Sequence, residues 1–462
     1  MSLRPQTRPG PWTPPPESEI LRQSGLSGDT AFIAMGLDGE MISARNQDLP
    51  LPPASVAKSV TALYAMEALG GAYRFATVVM GTGPIEGGVL KGDLILRGTG
   101  DPVFDTDALG ALASEVVARG IKRITGRFLV NGTGLPPIEQ IDPGQLPQAG
   151  YNPSISGLNL NYNRVHFEWR KTGDAYRLTM DARAQRYQPR VASSAMRIVP
   201  EAWPVYTHRK KNAREEWTVA RPALGNGGAR WLPVRAPEFY AGDVFRSISG
   251  GMGLALPQAE HDTRGDMRGQ VIASHVSPTL RGLCGGMLRY STNLTAEVLG
   301  LRATQALGGA PASLAASAAM MNAWAKGRFD ADMALVDHSG LGDASRITCA
   351  SLAKVMGGAE GLPGMLKDIA VKDPDGRVIA APGHRIRAKT GTLNFVSSLA
   401  GYVYPEDGTP FVFAIISSDL EKREAIAEQD RDRPAGSRTF ARRARVLQQL
   451  LIARWAQASV ET

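Results

Sequence analysis

The sequence has few of the residues from which disulfide, metal and cofactor sites are built. It contains two cysteines and six histidines in 462 residues, and this cysteine count excludes a disulfide framework. The histidines show no His-Glu-x-x-His spacing, and the chain has neither a Walker Gly-Lys-Ser/Thr motif nor a complete dinucleotide fingerprint. We therefore expect no metal and no cofactor. Cys284 and Cys349 lie in apolar, helix-like surroundings, which favours buried free thiols, although one disulfide stays open.

Long apolar runs are also missing. No stretch reaches the ~18 apolar residues that a transmembrane helix requires. Residues 1–18 are polar and rich in proline and arginine, so they do not form a signal peptide as they stand. We expect these residues to be a disordered leader segment. Taken literally, this start indicates a cytoplasmic protein; the alternative is that a leader peptide was removed and a Met-Ser-Leu start was supplied by cloning.

Charge is the next source of information. The net charge is +8 and the isoelectric point is near 9.5, which favours anionic surroundings such as nucleic acid, a membrane surface or an acidic polymer. The densest basic runs, residues 208–211 and 442–445, are interpreted as a solvated loop and an exposed helix face. No zinc-finger or RNA-recognition pattern accompanies them. We therefore expect no nucleic-acid partner.

The succession of patterns predicts an α/β protein in which one domain is split by an insertion. A strand pair joined at Asp38-Gly39 precedes a helix that starts at Ser55, and strands separated by turns then dominate to about residue 235. Helical patterns follow, and the chain ends in strands and a last helix. We predict one domain from residues 19–75 and 236–462, with a β-rich inserted module of residues 76–235.

Three short motifs carry the strongest functional signal. They are Ser-x-x-Lys, Ser-x-Asn and Lys-Thr-Gly, in that order, at Ser55-Val56-Ala57-Lys58, Ser291-Thr292-Asn293 and Lys389-Thr390-Gly391, the last followed by Thr392. The set is typical of serine β-lactamases and penicillin-binding proteins. A second Ser-x-x-Lys at 351–354 and a second Lys-Thr-Gly at 171–173 also occur. We interpret these duplicates as part of a helix and as a hairpin turn, because only the first set has each motif in suitable local structure.

The residue types fit nucleophilic catalysis. A serine hydroxyl needs a base within hydrogen-bond reach, and Ser55 and Lys58, three residues apart on a helix, share one face. A second cation, Lys389, would lower the pKa of Lys58 and make it a better base. The backbone N–H groups of Ser55 and Thr392 would stabilise an oxyanion.

The other motif residues would bind the substrate. Ser291 would relay a proton to the leaving amine, and Asn293 would hold a substrate amide. Lys389, with the hydroxyls of Thr390 and Thr392, would hold a terminal carboxylate. Gly391 would leave room for the substrate backbone. These roles predict a peptide substrate that ends in a free carboxylate.

Further segments extend the match beyond the three motifs. Residues 91–96 and 98–102, the Asn-x-x-Ala-Glu stretch at 293–297 and the Asp-His-Ser-Gly-Leu stretch at 337–341 resemble the class C low-molecular-mass penicillin-binding proteins. These are D-alanyl-D-alanine carboxypeptidase/endopeptidases of the penicillin-binding-protein-four type. The 236-residue interval between Ser55 and Ser291 is similar to that family's large insertion, which usually holds two small domains.

The resemblance implies a fold, an activity and partners. The fold would be a transpeptidase-like antiparallel sheet flanked by helices, with the β-rich module inserted. The activity would proceed through an acyl-enzyme on Ser55, with peptidoglycan stem peptides as substrates and β-lactams as covalent inhibitors. The protein would then work outside the cytoplasmic membrane, in the periplasm for example, with possible peripheral association with wall or membrane. This makes the removed leader the better explanation of the N-terminus.

Some residues depart from the family's pattern, and two rival functions share parts of it. His338 replaces a glycine, and Gly342-Asp343 stands where Ser-Arg is common, which puts any preference for an acidic stem-peptide side chain in doubt. A β-lactamase or esterase on the same scaffold is disfavoured by the long insertion and by the lack of an evident deacylating group. A non-enzymatic peptidoglycan-binding or penicillin-sensing protein is disfavoured because every polar group of the motifs is present.

Overall fold

The computed structural model describes residues 14–211, 213–264 and 269–461. The helices, in chain order, are α1 Glu17–Ser24, α2 Ala57–Leu69, α3 Thr106–Ala118, α4 Pro237–Gly251, α5 Leu280–Tyr290, α6 Asn293–Ala306, α7 Leu314–Phe329, α8 Cys349–Gly357, α9 Leu420–Glu424 and α10 Ser437–Glu461. Short 3-10 helices span Ala54–Val56, Asn161–Asn163, Arg221–Ala223, Pro363–Met365 and Glu428–Asp430.

The strands are more numerous and mostly short. They are β1 Asp29–Gly36, β2 Met41–Arg45, β3 Ala76–Gly81, β4 Ile85–Glu86, β5 Val89–Leu90, β6 Leu94–Gly98, β7 Arg123–Ile124, β8 Phe128–Asn131, β9 Arg164–Thr172, β10 Ala175–Asp181, β11 Ser194–Val199, β12 Tyr206–Lys211, β13 Arg214–Ala220, β14 Gly227–Pro233, β15 Ala259–His261, β16 Gln270–Val276, β17 Met333–Ala334, β18 Arg346–Ile347, β19 Lys367–Ile369, β20 His384–Leu393, β21 Val396–Pro405 and β22 Phe411–Ser418.

The described residues form two bodies, a sheet-and-helix domain and a β-rich module. One six-stranded antiparallel sheet, in the order β19-β20-β21-β22-β1-β2, forms the centre of the first body. Successive side chains along its strands point to opposite faces of the sheet. Both faces are apolar, so each must pack against other elements. On one face Phe32 and Ile415 pack with Leu451 and Trp455 of α10. On the other face the sheet joins one large apolar cluster with α2, α5, α6, α7 and α8. The predicted α/β fold, an antiparallel sheet flanked by helices, is confirmed.

The N-terminal helix α1 corrects the predicted extent of the leader. Residues 1–13 lie outside the described residues, but the predicted end of the leader at Ser18 is wrong, because Glu17 and Ser18 already belong to α1. Ile20 is fully buried beside α10, and the Trp455 indole N–H donates to Glu17 Oε1 at 2.7 Å. These tertiary contacts hold a helix too short to be stable alone.

The second body is the β-rich module. It contains a five-stranded sheet, β15-β8-β6-β3-β16, and the three-stranded sheets β10-β9-β14, β11-β13-β12 and β4-β5-β7. A single apolar cluster joins residues from several of these sheets, including Val79, Phe167 and Trp217. The division of the module into two small domains stays a prediction. The basic run 208–211, interpreted above as a loop, is instead part of β12, where His208 bonds to the buried Glu215.

The predicted end of the module at residue 235 is wrong. Helix α4 shares the module's apolar core through Tyr240 and Phe245, and β16 pairs antiparallel with β3. The chain returns to the first body only near Ser277, whose hydroxyl accepts the backbone N–H of Phe75 at 2.9 Å. The periodicity of α4 revealed a helix but carried no information about which sheet it would cover.

Candidate active site

Three separate elements bring the sequence motifs together. Ser55 lies in the 3-10 helix before α2, and Lys58 lies in the first turn of α2. The junction of α5 and α6 carries Ser291 and Asn293, and β20 carries residues 389–392. Ala54 and Ser291 have left-handed backbone conformations, with φ of 48° and 60°. Such conformations cost non-glycine residues roughly 1 kcal/mol and cluster at functional sites.

The amine of Lys58 is completely buried and has three oxygen neighbours. Its Nζ lies 2.9 Å from Ser55 Oγ, 2.8 Å from Asn293 Oδ1 and 2.7 Å from the Ser339 carbonyl oxygen. A neutral amine has two N–H donors and one lone pair, and of the three neighbours only the serine hydroxyl can donate a proton. In the neutral state, the lone pair of Lys58 is therefore directed at Ser55.

Burial, rather than a second cation, lowers the pKa of Lys58. Loss of solvation brings this pKa to about 8, against the opposing attraction of the Glu297 and Asp337 carboxylates. The repulsion between the two lysines instead appears at Lys389, whose pKa is lowered to about 6 by burial, by Lys58 and by Lys367. The expectation that Lys389 tunes Lys58 is therefore reversed.

Lys389 connects the other two motifs. Its Nζ donates to Ser291 Oγ at 2.9 Å and to the Thr390 carbonyl oxygen at 2.6 Å. The side chain is buried below the strand, whereas Thr392 on the opposite face is exposed. The motif residues thus form two hydrogen-bonded groups, Ser55–Lys58–Asn293 and Ser291–Lys389, that open into the same cleft.

The cleft has a volume of about 1070 Å³. Its lining includes Ser55, Ser291, Asn293 and Thr392, but Thr390 does not contribute to it. Strand β19 pairs with β20 only over Ile386–Ala388, so residues 389–393 present an edge without a strand partner among the described residues. An extended peptide can add to such an edge.

Gly391 has a role different from the one that the sequence suggested. A Cβ atom built there would lie 2.1 Å from Ser398 Oγ and 2.9 Å from both the Pro53 carbonyl oxygen and the Ser55 amide nitrogen. The space that a side chain would need is already filled by the protein. Glycine is therefore required so that β20 can pack against the segment that carries Ser55, not to admit the substrate backbone.

The inserted module contributes a wall of the cleft that the sequence did not reveal. The Asn293 side-chain amide, expected to hold a substrate amide, donates to the Tyr151 carbonyl oxygen at 2.9 Å. Gly144 lines the cleft, and its carbonyl oxygen accepts from Arg431 at 2.8 Å. Every residue has a backbone carbonyl, so the sequence could not predict the contact between Asn293 and the Tyr151 carbonyl oxygen. Only the length of the insertion indicated that the module could reach the site.

The side chains of His338 and Asp343, the two residues that depart from the family's pattern, both contact other side chains of the protein. The ring of His338 fills the space where a Cβ on Gly300 would lie, with ring atoms within 2.3 Å of that position. Burial lowers the pKa of His338 to about 3, and its Nε2 is 2.8 Å from Ser317 Oγ. Asp343, which lines the cleft, forms an ion pair with Arg423.

The two duplicate motifs lie elsewhere, in the structures predicted for them. Ser351 and Lys354 belong to α8, and the 171–173 triplet ends β9 where it turns into β10. Neither borders the cleft. Among the described residues, no group of three His, Cys, Asp or Glu side chains is placed to hold a metal ion.

Residues 18–434 match the model of the D-Ala-D-Ala carboxypeptidase 3 (S13) family. The chain belongs to this family. A D-alanyl-D-alanine carboxypeptidase from an Actinomadura species is 27% identical over 453 residues, covering 89% of this chain and 82% of that protein. The D-alanyl-D-alanine carboxypeptidase DacB of Haemophilus influenzae is 23% identical, covering 90% and 92% of the two chains.

Solved structures agree with this family assignment at the level of the fold. The crystal structure of penicillin binding protein 4 (dacB) from Haemophilus influenzae has a TM-score of 0.72 and 21% identity, covering 90% of this chain and 98% of that one. The same protein complexed with a novel β-lactam has a TM-score of 0.68. The resemblance to class C penicillin-binding proteins is confirmed.

Proposed function

We propose that this protein is a serine D-alanyl-D-alanine carboxypeptidase/endopeptidase that acts on peptidoglycan stem peptides through an acyl-enzyme on Ser55. The observation that carries the proposal is the buried amine of Lys58, 2.9 Å from Ser55 Oγ, with its other two neighbours unable to donate a proton. Membership of the carboxypeptidase family supports the same reaction.

In the proposed acylation, Lys58 accepts the hydroxyl proton while Ser55 Oγ attacks the carbonyl carbon of the penultimate D-alanine. The backbone N–H groups of Ser55 and Thr392 stabilise the oxyanion. When the C–N bond breaks, a proton passes through Ser291 to the leaving amine. Water then attacks the ester, Lys58 again acts as the base, and Ser55 is regenerated.

The substrate carboxylate is proposed to lie near Lys389. An anion close to a buried amine raises the pKa of that amine, so Lys389, with a pKa of about 6 in the empty site, would gain its charge as the substrate binds. The hydroxyl of Thr392, on the cleft side of β20, supports this placement. Neither Lys389 nor Thr390 lines the cleft, but Lys389 reaches it through its hydrogen bond to Ser291, so Thr390 is proposed as the weaker contributor.

The proposed substrate places the protein outside the cytoplasmic membrane, in the periplasm or its equivalent. No helix of the described residues is both long and apolar enough to span a bilayer. The net charge of +8 supports a peripheral attraction to anionic wall or membrane components.

The test is intact-protein mass spectrometry after treatment with benzylpenicillin, followed by mapping of the labelled peptide. We expect a penicilloyl adduct on Ser55 that persists for hours, and D-alanine release from a pentapeptide that is abolished in Ser55→Ala. The matched control is Ser351→Ala, from the duplicate motif, which should keep both activities. An adduct on another serine, or D-alanine release by Ser55→Ala, would refute the proposal. Turnover of penicillin within seconds would favour the β-lactamase alternative.

A further inference from the structure

Glu297 is a buried acid beside the candidate active site to which the reaction scheme gives no role. It lies four residues after Asn293 on α6, so both side chains project from the same face of the helix. Its Oε2 accepts the backbone N–H of His338 at 2.9 Å. Its other oxygen, Oε1, is buried and has no partner of ordinary hydrogen-bond geometry among the described residues, although the Ser339 side chain lies near enough to lower the pKa of the acid. Burial raises the pKa of this acid to about 8, and burying an incompletely hydrogen-bonded acid costs stability, which points to a role other than packing.

The hydrogen bond from His338 ties Glu297 to the 337–342 turn. Within this turn Asp337 accepts the backbone N–H groups of Ser339, Gly340 and Gly342, at 3.1, 2.6 and 2.5 Å. A Cβ on Gly340 would lie 2.0 Å from the Ala54 carbonyl oxygen. The turn is therefore rigid and packs directly against the residue before Ser55.

The same turn provides an acceptor for the Lys58 amine. The Ser339 carbonyl oxygen, one residue beyond the amide held by Glu297, accepts from Lys58 Nζ at 2.7 Å. The other fixed acceptor, Asn293 Oδ1, comes from α6 itself. Together these two acceptors decide where the lone pair of a neutral Lys58 points. Helix α6 controls both, one directly and the other through Glu297.

We propose that Glu297 is a positioning residue that holds the 337–342 turn by accepting the His338 N–H, so that the Ser339 carbonyl orients the Lys58 amine toward Ser55. This role rests on the proposed function. Glu297 touches neither substrate nor reacting atoms and takes no part in proton transfer. What matters is the acceptor oxygen, since misplacement of a reacting group by ~1 Å can slow a reaction by about 10²-fold.

The experiment compares Glu297→Gln, which keeps an acceptor oxygen in the same place, with Glu297→Leu, which removes it. The acylation rate constant and the noncovalent dissociation constant for a fluorescent penicillin are measured separately by stopped flow. We expect Glu297→Leu to lower the rate constant by at least 10-fold with the dissociation constant within 2-fold. Both variants are measured above about pH 8, where Lys58 is mostly neutral with or without the attraction of the Glu297 carboxylate; there Glu297→Gln should stay within 3-fold of the unaltered protein in both quantities.

The matched control is Glu238 of α4, a buried glutamate of the inserted module that accepts from Ser156. Glu238→Leu should lower thermal stability without slowing acylation, which separates positioning from general destabilisation. Acylation of Glu297→Leu at the normal rate overturns the inference, and so does a Glu297→Gln variant as slow as Glu297→Leu. If Glu297→Leu does not fold, Glu297→Ala, which also lacks the acceptor oxygen and favours the helix, takes its place with the same expected results. Failure of the unaltered protein to label at Ser55 would instead refute the proposed function.

Discussion

The contact between β20 and the Ser55 segment makes Gly391→Ala an informative substitution. The new methyl group would meet Ser398 Oγ at 2.1 Å, and the Pro53 carbonyl oxygen and the Ser55 amide nitrogen at 2.9 Å. The Ser398 hydroxyl can rotate away, but it then gives up its 2.6 Å hydrogen bond to the Pro53 carbonyl oxygen. The two backbone atoms cannot rotate, so the strand and the Ser55 segment must separate.

The expected cost follows from these contacts. Overpacking of a well-filled interior costs about 1–3 kcal/mol, and the lost hydrogen bond adds roughly 1 kcal/mol, so we expect a fall of about 2–4 kcal/mol in the free energy of unfolding. Separation by about 0.5 Å would move Ser55 relative to Thr392. We expect acylation to slow by about 10- to 100-fold, because a shift of ~1 Å can cost 10²-fold.

Stopped-flow acylation by a fluorescent penicillin and urea unfolding measure the two effects. The added substitution Ser398→Ala removes the closest contact, so the double variant should regain part of the stability while acylation stays slow. Gly327→Ala is the matched control: this α7 glycine has open space at its Cβ position, and the change should stabilise by about 0.5–1 kcal/mol. Normal acylation by Gly391→Ala would refute the packing argument.

Three further predictions concern ionisation. Lys58, with a pKa of about 8, must be neutral to accept a proton, so single-turnover acylation should rise with pH to a plateau above about 8; a flat profile would contradict this role. The pKa of His338 is about 3 in the folded state and near 6.5 in the unfolded state, so the folded state binds fewer protons. The free energy of unfolding should therefore fall by about 1 kcal/mol as the pH is lowered from 7 to 5.5. Urea unfolding should show this loss, and His338→Asn should reduce it. Burial raises the pKa of Cys284 and Cys349 to about 12, so a thiol reagent should label neither until denaturant is added.

Local periodicity explains what the sequence could predict. The Ser55–Lys58 pair needed only helical spacing, and the alternation of residues 389–392 needed only an extended strand. The turn at 171–173 needed only its two flanking strands. These features depend on a few neighbouring residues, so they were available before any tertiary structure.

Features that depend on distant segments were not available in this way. Helix α4 has an ordinary amphipathic pattern, and only its contact with the module sheet shows that it belongs to the insertion. The glycine at position 391 indicates that a side chain would not fit there, but the sequence could not show whether the substrate or the protein itself occupies that space. The Tyr151 carbonyl belongs to the backbone, and a residue of any type at this position would carry the same acceptor. In the sequence Glu297 is only one residue of the Asn-x-x-Ala-Glu stretch, because its burial and its hydrogen bond to His338 exist only in the folded chain.

The difference between the two buried lysines follows from which acids accompany them. Desolvation lowers both pKa values, but Lys58 has Glu297 and Asp337 as counter-charges and stays near 8. Lys389 has no carboxylate among the causes of its shift and falls to about 6. Near neutral pH about a tenth of Lys58 is then neutral, enough for a base that is regenerated in each turnover. Lys389 is mostly neutral until an anion arrives, so charge at this position would signal a bound carboxylate. The attraction of the buried acids thus favours the proton on Lys58 over Lys389 in the empty site.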